Sequence, residues 1–359
     1  MIFFVAFISA ALLSFIFTFG VKKVALRFSI IDLPSEKRKI HTKPTPLLGG
    51  VGIFLSFASV VLLVTFFTDD LLGGYLLPKH ILGILFASTV LIVGGILDDK
   101  YSLRPRYQFL FPLVSAIIVI VSGIGISYIS NPFGTAFDLE TIKVHLFTIN
   151  SLPYFFVLLA DLFTILWLLG MTYTTKILDG LDGLVSGLTV IAGVVLFFLS
   201  MKEQIMQPET ALLSLILAGS FFGFLFWNFY PAKIFLGEGG STFAGFMIGT
   251  LSIISGGKLA TALLIMSIPI IDLTFVLIER IWKKQSPVKT ADTKHLHFRL
   301  KALGLSTRSI VLIIYSVSAI LGVIALTFEG KTKIILFALF GVLIFCSLIF
   351  IARKTKKVA

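Results

Sequence analysis

The chain has 359 residues, 57% of them hydrophobic and only 13% charged, with a mean hydropathy of +1.04. Soluble domains carry about 25% charged residues, so a water-soluble globular protein is excluded, and a lone cysteine, Cys346, excludes a disulfide framework. In so apolar a chain, the formal net charge of +12 reports orientation and contact with anionic lipid or phosphorylated substrates, not nucleic acid.

Eleven apolar stretches follow in chain order: Ile2–Phe19, Leu48–Phe67, Ile81–Leu97, Tyr107–Ser130, Tyr154–Gly170, Leu184–Ser200, Ala211–Asn228, Thr242–Ile254, Leu259–Ile281, Ile310–Thr327 and Ile334–Ala352. Each approaches the roughly 20 residues that a helix needs to cross hydrocarbon, where every backbone polar group must be paired internally. The expected fold class is all-α, a polytopic integral membrane protein of about 11 transmembrane helices forming one multi-pass domain over 1–359. The first stretch has no basic residue before it and is followed by Lys22, Lys23 and Arg27. That order reads as a retained anchor with its N-terminus outside, not as a cleaved signal peptide.

Alternating spans divide the 30 Lys and Arg residues 24 to 6 between the two sides. The rich side, cytoplasmic under the positive-inside rule, holds the segments at about 21–47, 98–106, 171–183, 229–241 and 282–309, and the C-terminus. Acidic residues gather at that same side: Asp98 and Asp99, Asp179 and Asp182 in Asp-Gly-Leu-Asp-Gly, and Glu238 in Gly-Glu-Gly-Gly-Ser. One acid at a helix end is ordinarily a cap. Five in three loops, beside glycines, suit Mg²⁺ (or Mn²⁺), which binds through one or two carboxylates plus substrate phosphates.

The basic counterpart is His295-Leu-His-Phe-Arg299. Histidines two apart do not share a helix face, so a zinc site is not expected; a clamp on a diphosphate or a lipid-binding loop remain the two readings. Gly49-Gly50 after Lys43 allows close backbone approach to phosphate, or simply tight helix packing. Asp272, and with it Asp161, are acids within spans, the kind of residue a transporter would use.

In order, the chain carries Asp32-Leu-Pro, Arg38-Lys-Ile-His41, Pro46-Leu-Leu-Gly-Gly50, Gly95-Ile-Leu-Asp-Asp99, Asp179-Gly-Leu-Asp-Gly183, Pro231-Ala-Lys-Ile-Phe-Leu-Gly-Glu-Gly-Gly-Ser241, Pro269-Ile-Ile-Asp272 and His295-Leu-His297. This succession resembles the polyprenyl-phosphate N-acetylhexosamine-1-phosphate transferases, and among them the branch that uses UDP-N-acetylglucosamine. The resemblance implies transfer of a sugar 1-phosphate from a UDP-N-acetylhexosamine to undecaprenyl or another polyprenyl phosphate. UMP is released, at the cytoplasmic face of the cell membrane, as the first membrane step of a cell-envelope glycan. It implies Asp98 and Asp99 at the acceptor phosphate, Glu238 with Asp179 as metal ligands, and Asp182, His295, His297 and Arg299 near the donor. Lys43, Arg106 and Arg299 become candidates for further phosphate contacts, and a second copy of the chain stays open as a partner. Three departures stand out: Tyr173 and Lys176 where the family commonly has Asn, Glu238 where it has Asp, and Phe298 where many members have His. Lys176 supplies no lone pair to a metal, so it is expected to neutralise phosphate charge instead. The rival readings are a lipid or ion transporter, and a family member that binds without turnover.

Overall fold

The computed structural model describes residues 1–34, 43–129, 131, 134–149, 152–256, 259–283, 295–328 and 330–358. His41 and Lys294 lie outside the described residues. Thirteen helices are described: α1 (Ile2–Arg27), α2 (Gly49–Phe67), α3 (Pro78–Tyr101), α4 (Pro105–Val121), α5 (Leu158–Leu178), α6 (Leu184–Ser200), α7 (Pro208–Asn228), α8 (Gly237–Ile254), α9 (Leu259–Ile265), α10 (Ser267–Trp282), α11 (Leu296–Ala302), α12 (Thr307–Thr327) and α13 (Gly330–Val358). Seven are long and apolar enough to cross a membrane, eight if α9 and α10 count as one bent span. The protein is a helical, polytopic membrane protein, but helix length does not establish eleven crossings. Helices α4 and α6 have only 17 residues each.

The expectation of an all-α chain needs correction at three short antiparallel pairs: β1 (Ile31–Asp32) with β2 (Thr45–Pro46), β3 (Tyr128–Ile129) with β4 (Phe137–Asp138), and β5 (Lys143–Ile149) with β6 (Leu152–Val157). Two expected spans change accordingly, the fourth by shortening and the fifth by shifting toward the C-terminus. The fourth stops at Val121, where Gly123 turns the chain with φ +98°, and the fifth begins as strand β6 before α5 starts at Leu158. Aromatic and β-branched residues suit a strand as well as a bilayer, so hydropathy alone did not separate the two. The ninth stretch is bent by 77° between α9 and α10. Pro269 explains the break: it has no N–H for the carbonyl of Ile265, and its ring collides with that carbonyl.

Helix α8 is the axle of the fold. Every residue from Gly239 to Ile254 is buried, with α2, α3, α5 and α6 packed around it. Small residues make this approach feasible, as they do between membrane helices generally. A Cβ on Gly50 would lie 2.2 Å from Gly240 N, and one on Gly95 2.1 Å from Gly239 Cα. Gly49 is equally filled, by the Phe224 ring and the carbonyl of Phe235. Tight packing, rather than open space for phosphate, therefore accounts for Gly49-Gly50.

Candidate active site

The N-terminal end of α8 is fixed by the first loop. Strand β2 continues into it: Phe235 N–H donates to Pro46 O at 2.8 Å, Gly49 N–H to Phe235 O at 3.0 Å and Gly50 N–H to Leu236 O at 2.8 Å. Glu238, in the first turn of α8, donates its N–H to Asp99 Oδ1 at 3.0 Å, across the glycine-lined seam between α3 and α8. A cavity of about 320 Å³ opens there, lined by Asp32, Asp99, Lys176, Asp179, Asp182 and Glu238 together with Asn228, Ser241 and Phe298.

Asp98 and Asp99 separate in role. Asp99 lines the cavity, whereas Asp98 Oδ1 accepts from Leu103 N at 2.8 Å and Gln108 Nε2 at 2.9 Å, closing the turn between α3 and α4. Lys176, on the last turn of α5, pairs with Glu238 Oε1 at 2.5 Å and donates to Gln108 Oε1 at 2.9 Å. Asp182 Oδ2 accepts from Ala232 N at 2.9 Å, fastening the Asp-Gly-Leu-Asp-Gly turn to the segment before α8. Protein packed around Asp179, with Glu238, Asp99 and Asp182 nearby, pushes its carboxyl up to about 8, although the residue stays open to the cavity. Crowded carboxylates with raised affinity for a proton are a set of hard oxygen donors short of a cation.

His295, His297 and Arg299 sit behind this cavity. His295 Nδ1 lies 2.9 Å from Asp272 Oδ2, and Leu296 N–H donates to Asp272 Oδ1 at 2.8 Å. The acid within α10 thus anchors α11, while Asp161 accepts from Val157 N at 2.8 Å at the start of α5. Both span acids hold backbone in place. His297 is buried with neither ring nitrogen partnered. Its Nε2 would lie 2.5 Å from a Cβ on Gly180, so only glycine fits the Asp-Gly-Leu-Asp-Gly turn here. Burial holds the imidazole down at about 4. Arg299 pairs with Glu279 at 2.8 Å and covers the Phe275 ring, outside the cavity lining. Lys43 and Arg106 are exposed and also outside it; Arg106 lies against Tyr107.

Sequence reasoning passed over three residues that assemble the site. Asn228, ending α7, accepts from Gly183 N at 3.1 Å and Ser186 Oγ at 2.8 Å and donates to Ile234 O at 3.1 Å, joining two motif loops. Gln108 bridges Asp98 and Lys176. Tyr315 of α12 donates its hydroxyl to Gly183 O. Each is a single polar residue near or within an apolar stretch, and that was the available signal.

Residues 81–256 match the family described as "Glycosyl transferase family 4". The chain is 36% identical, over 96% of its own length and 90% of the relative's, to a probable undecaprenyl-phosphate N-acetylglucosaminyl 1-phosphate transferase of Bacillus subtilis. It is 30% identical to an undecaprenyl-phosphate alpha-N-acetylglucosaminyl 1-phosphate transferase of Thermotoga maritima, over 80% and 78% of the two chains. A decaprenyl-phosphate N-acetylglucosaminephosphotransferase of Mycolicibacterium smegmatis is 28% identical over 86% and 77%.

Proposed function

Since the chain belongs to glycosyl transferase family 4, we propose that it transfers N-acetylglucosamine 1-phosphate from UDP-N-acetylglucosamine to a polyprenyl phosphate and releases UMP. The observation that carries this reading beyond the relatives' names is the cavity: Asp99, Asp179 and Glu238 arrive there from three separate helix ends, with Lys176 among them. Phosphoryl transfer asks a protein chiefly for positioning and for charge neutralisation, and this is a site of ionisable groups fixed on helix termini.

An oxygen of the acceptor phosphate attacks the β-phosphorus of the donor. The bond from that phosphorus to the bridging oxygen breaks, and UMP leaves with the electron pair. One phosphoanhydride replaces another, so the reaction is close to thermoneutral and reversible. Asp99 faces the cavity and is suited to orient the acceptor phosphate or take its remaining proton, while Asp98 acts on the α3–α4 turn. Asp182 and Asn228 keep the two motif loops together around the donor. Glu238 and Asp179 fit Mg²⁺ or Mn²⁺ by their chemistry, as carboxyl groups that line the cavity. No ready-made cluster of three ligands is drawn together among the described residues, which agrees with an ion held partly by substrate phosphates. Such an ion would supply charge neutralisation for the diphosphate.

The 24-to-6 distribution of basic residues supports a cytoplasmic cavity and an external N-terminus. The deciding experiment incubates the purified protein with undecaprenyl phosphate, Mg²⁺ and a panel of radiolabelled UDP-sugars. Label should enter the lipid fraction from UDP-N-acetylglucosamine and disappear with EDTA. If no UDP-sugar labels lipid, the proposal is overturned; full turnover in EDTA would remove the metal alone.

A further inference from the structure

The cavity is rich in acids and poor in bases. Asp32, Asp99, Asp179, Asp182 and Glu238 line it, and among the described residues lining it Lys176 is the single cation. A donor diphosphate and an acceptor phosphate add more negative charge to a space that already repels it. Either the substrates bring all of the compensating cations, or the protein contributes one.

Lys176 is held as a contributed charge would be. Tyr173 and Lys176, three residues apart on α5, share a helix face, and the ammonium lies 5.6 Å from the Tyr173 ring centroid. It pairs with Glu238 Oε1 at 2.5 Å and donates to Gln108 Oε1 at 2.9 Å. Gln108 is itself oriented by its bond to Asp98. The Lys176 side chain keeps 21% of its surface exposed and Glu238 keeps 18%, so the pair is neither sealed in nor free in solvent. Tyr173, Lys176 and Glu238 are three of the four positions at which the sequence departs from the pattern it resembles, Phe298 being the fourth, and these three form one connected cluster.

We propose that Lys176 is the protein's own phosphate-binding cation: Tyr173 and Gln108 position its ammonium, Glu238 holds it until substrate arrives, and the donor diphosphate takes it over on binding. This deepens the transferase reading and rests on it. Exchanging one anionic partner for another keeps the ammonium paired throughout, so the step avoids stranding a half-buried charge. Departure of the ammonium also frees the Glu238 carboxylate as an oxygen ligand while the diphosphate arrives. Donor and divalent ion then favour one another's binding, by equal factors.

Binding measured without acceptor, so that no turnover occurs, tests this. UDP-N-acetylglucosamine is titrated calorimetrically into the purified full-length protein in EDTA, and Mn²⁺ binding without donor is followed by paramagnetic resonance. In EDTA, Lys176→Gln should bind the donor about tenfold more weakly than wild type, and Lys176→Arg should retain most of the affinity. Mn²⁺ alone should bind Lys176→Gln more tightly than wild type, because Glu238 is released. Equal donor affinity of wild type and Lys176→Gln in EDTA overturns the inference and leaves the transferase reading intact; a wild type that binds no UDP-sugar in any buffer overturns both. Should Lys176→Gln fail to fold, Glu238→Gln decides from the other side. Its ammonium is no longer held, so donor affinity in EDTA should rise, and an unchanged value overturns the inference.

Discussion

Replacing Gly95 by alanine should nearly abolish transfer while leaving the protein folded. The added methyl would sit 2.1 Å from Gly239 Cα, whereas ordinary contact begins at 3.4 Å, so α3 and α8 must part by about 1.3 Å. Asp99 is one turn beyond Gly95 on the same helix, and its bond from Glu238 N, 3.0 Å long, crosses that seam. The same displacement takes the pair to about 4.3 Å, beyond hydrogen-bonding range. Overpacking of this kind costs about 1–3 kcal/mol, offset in part by about 1 kcal/mol of helix propensity gained over glycine. A misplacement of about 1 Å at reacting groups costs roughly a hundredfold in rate. The assay is turnover with UDP-N-acetylglucosamine beside a thermal melt, with Gly170→Ala as control, since nothing lies within 4 Å of a Cβ there. Turnover of Gly95→Ala within threefold of wild type, or an equal loss in Gly170→Ala, would refute the reasoning.

Asp99→Asn should slow turnover by orders of magnitude at unchanged melting temperature, whereas Asp98→Asn, acting through the α3–α4 turn, should lower stability more than rate; the reverse pattern would exchange their roles. His297 is held at about 4, below its unfolded value near 6.5, so its contribution to stability is present above about 6.5 and lost as pH falls toward 4. A melt of wild type against His297→Phe between pH 7 and 4.5 should show the gap closing. Asp179 acts on both proteins equally and in the opposite sense, so the comparison cancels it. Because Asp179 keeps its proton up to about 8, Mn²⁺ affinity should climb between pH 6.5 and 8; an identical climb in Asp179→Asn would assign the effect to another group. For topology, Cys346 is first replaced by serine. A cysteine at Lys100 should then escape an impermeant maleimide on intact cells and one at Glu140 should react; labelling at Lys100 would invert the orientation.

The motifs Asp-Gly-Leu-Asp-Gly and Gly-Glu-Gly-Gly-Ser were legible because charge interrupts an apolar chain only at some cost, so each interruption points to water, a partner or chemistry. What a single acid does was not legible. Asp98 and Asp99 are adjacent in the chain, yet one closes a turn and the other lines a cavity, because successive residues on a helix face about 100° apart. Arg299 read as a phosphate clamp and instead meets Glu279, twenty residues earlier and beyond the reach of local spacing. Lys176 was expected to neutralise phosphate charge, but local spacing gave no sign of its partner Glu238, brought from another helix. The β5–β6 pair was hidden by composition, since Tyr154–Val157 is as apolar as the start of a span. The bend between α9 and α10 had its signal in Pro269, but a proline within a membrane helix is compatible with a straight run as well as a broken one.

The burial of α8 also bears on biogenesis. Helix α8 carries Glu238, five glycines and two each of serine and threonine, and it does not qualify among the spans apolar enough to cross alone. In the finished protein this costs nothing, because no residue from Gly239 to Ile254 faces lipid. During synthesis those neighbours assemble in sequence, and the translocon partitions each emerging segment by its own transfer free energy. Helix α8 should therefore fail to insert when presented singly and should enter when α5 and α6, which pack against it, precede it in the chain. A glycosylation-reporter assay on α8 alone and on the segment from α5 to α8 separates these outcomes, and efficient insertion of α8 alone would show that its small polar residues carry no such penalty. On this view the residues that let the central helix approach its neighbours also tie the order of membrane insertion to the order of the chain.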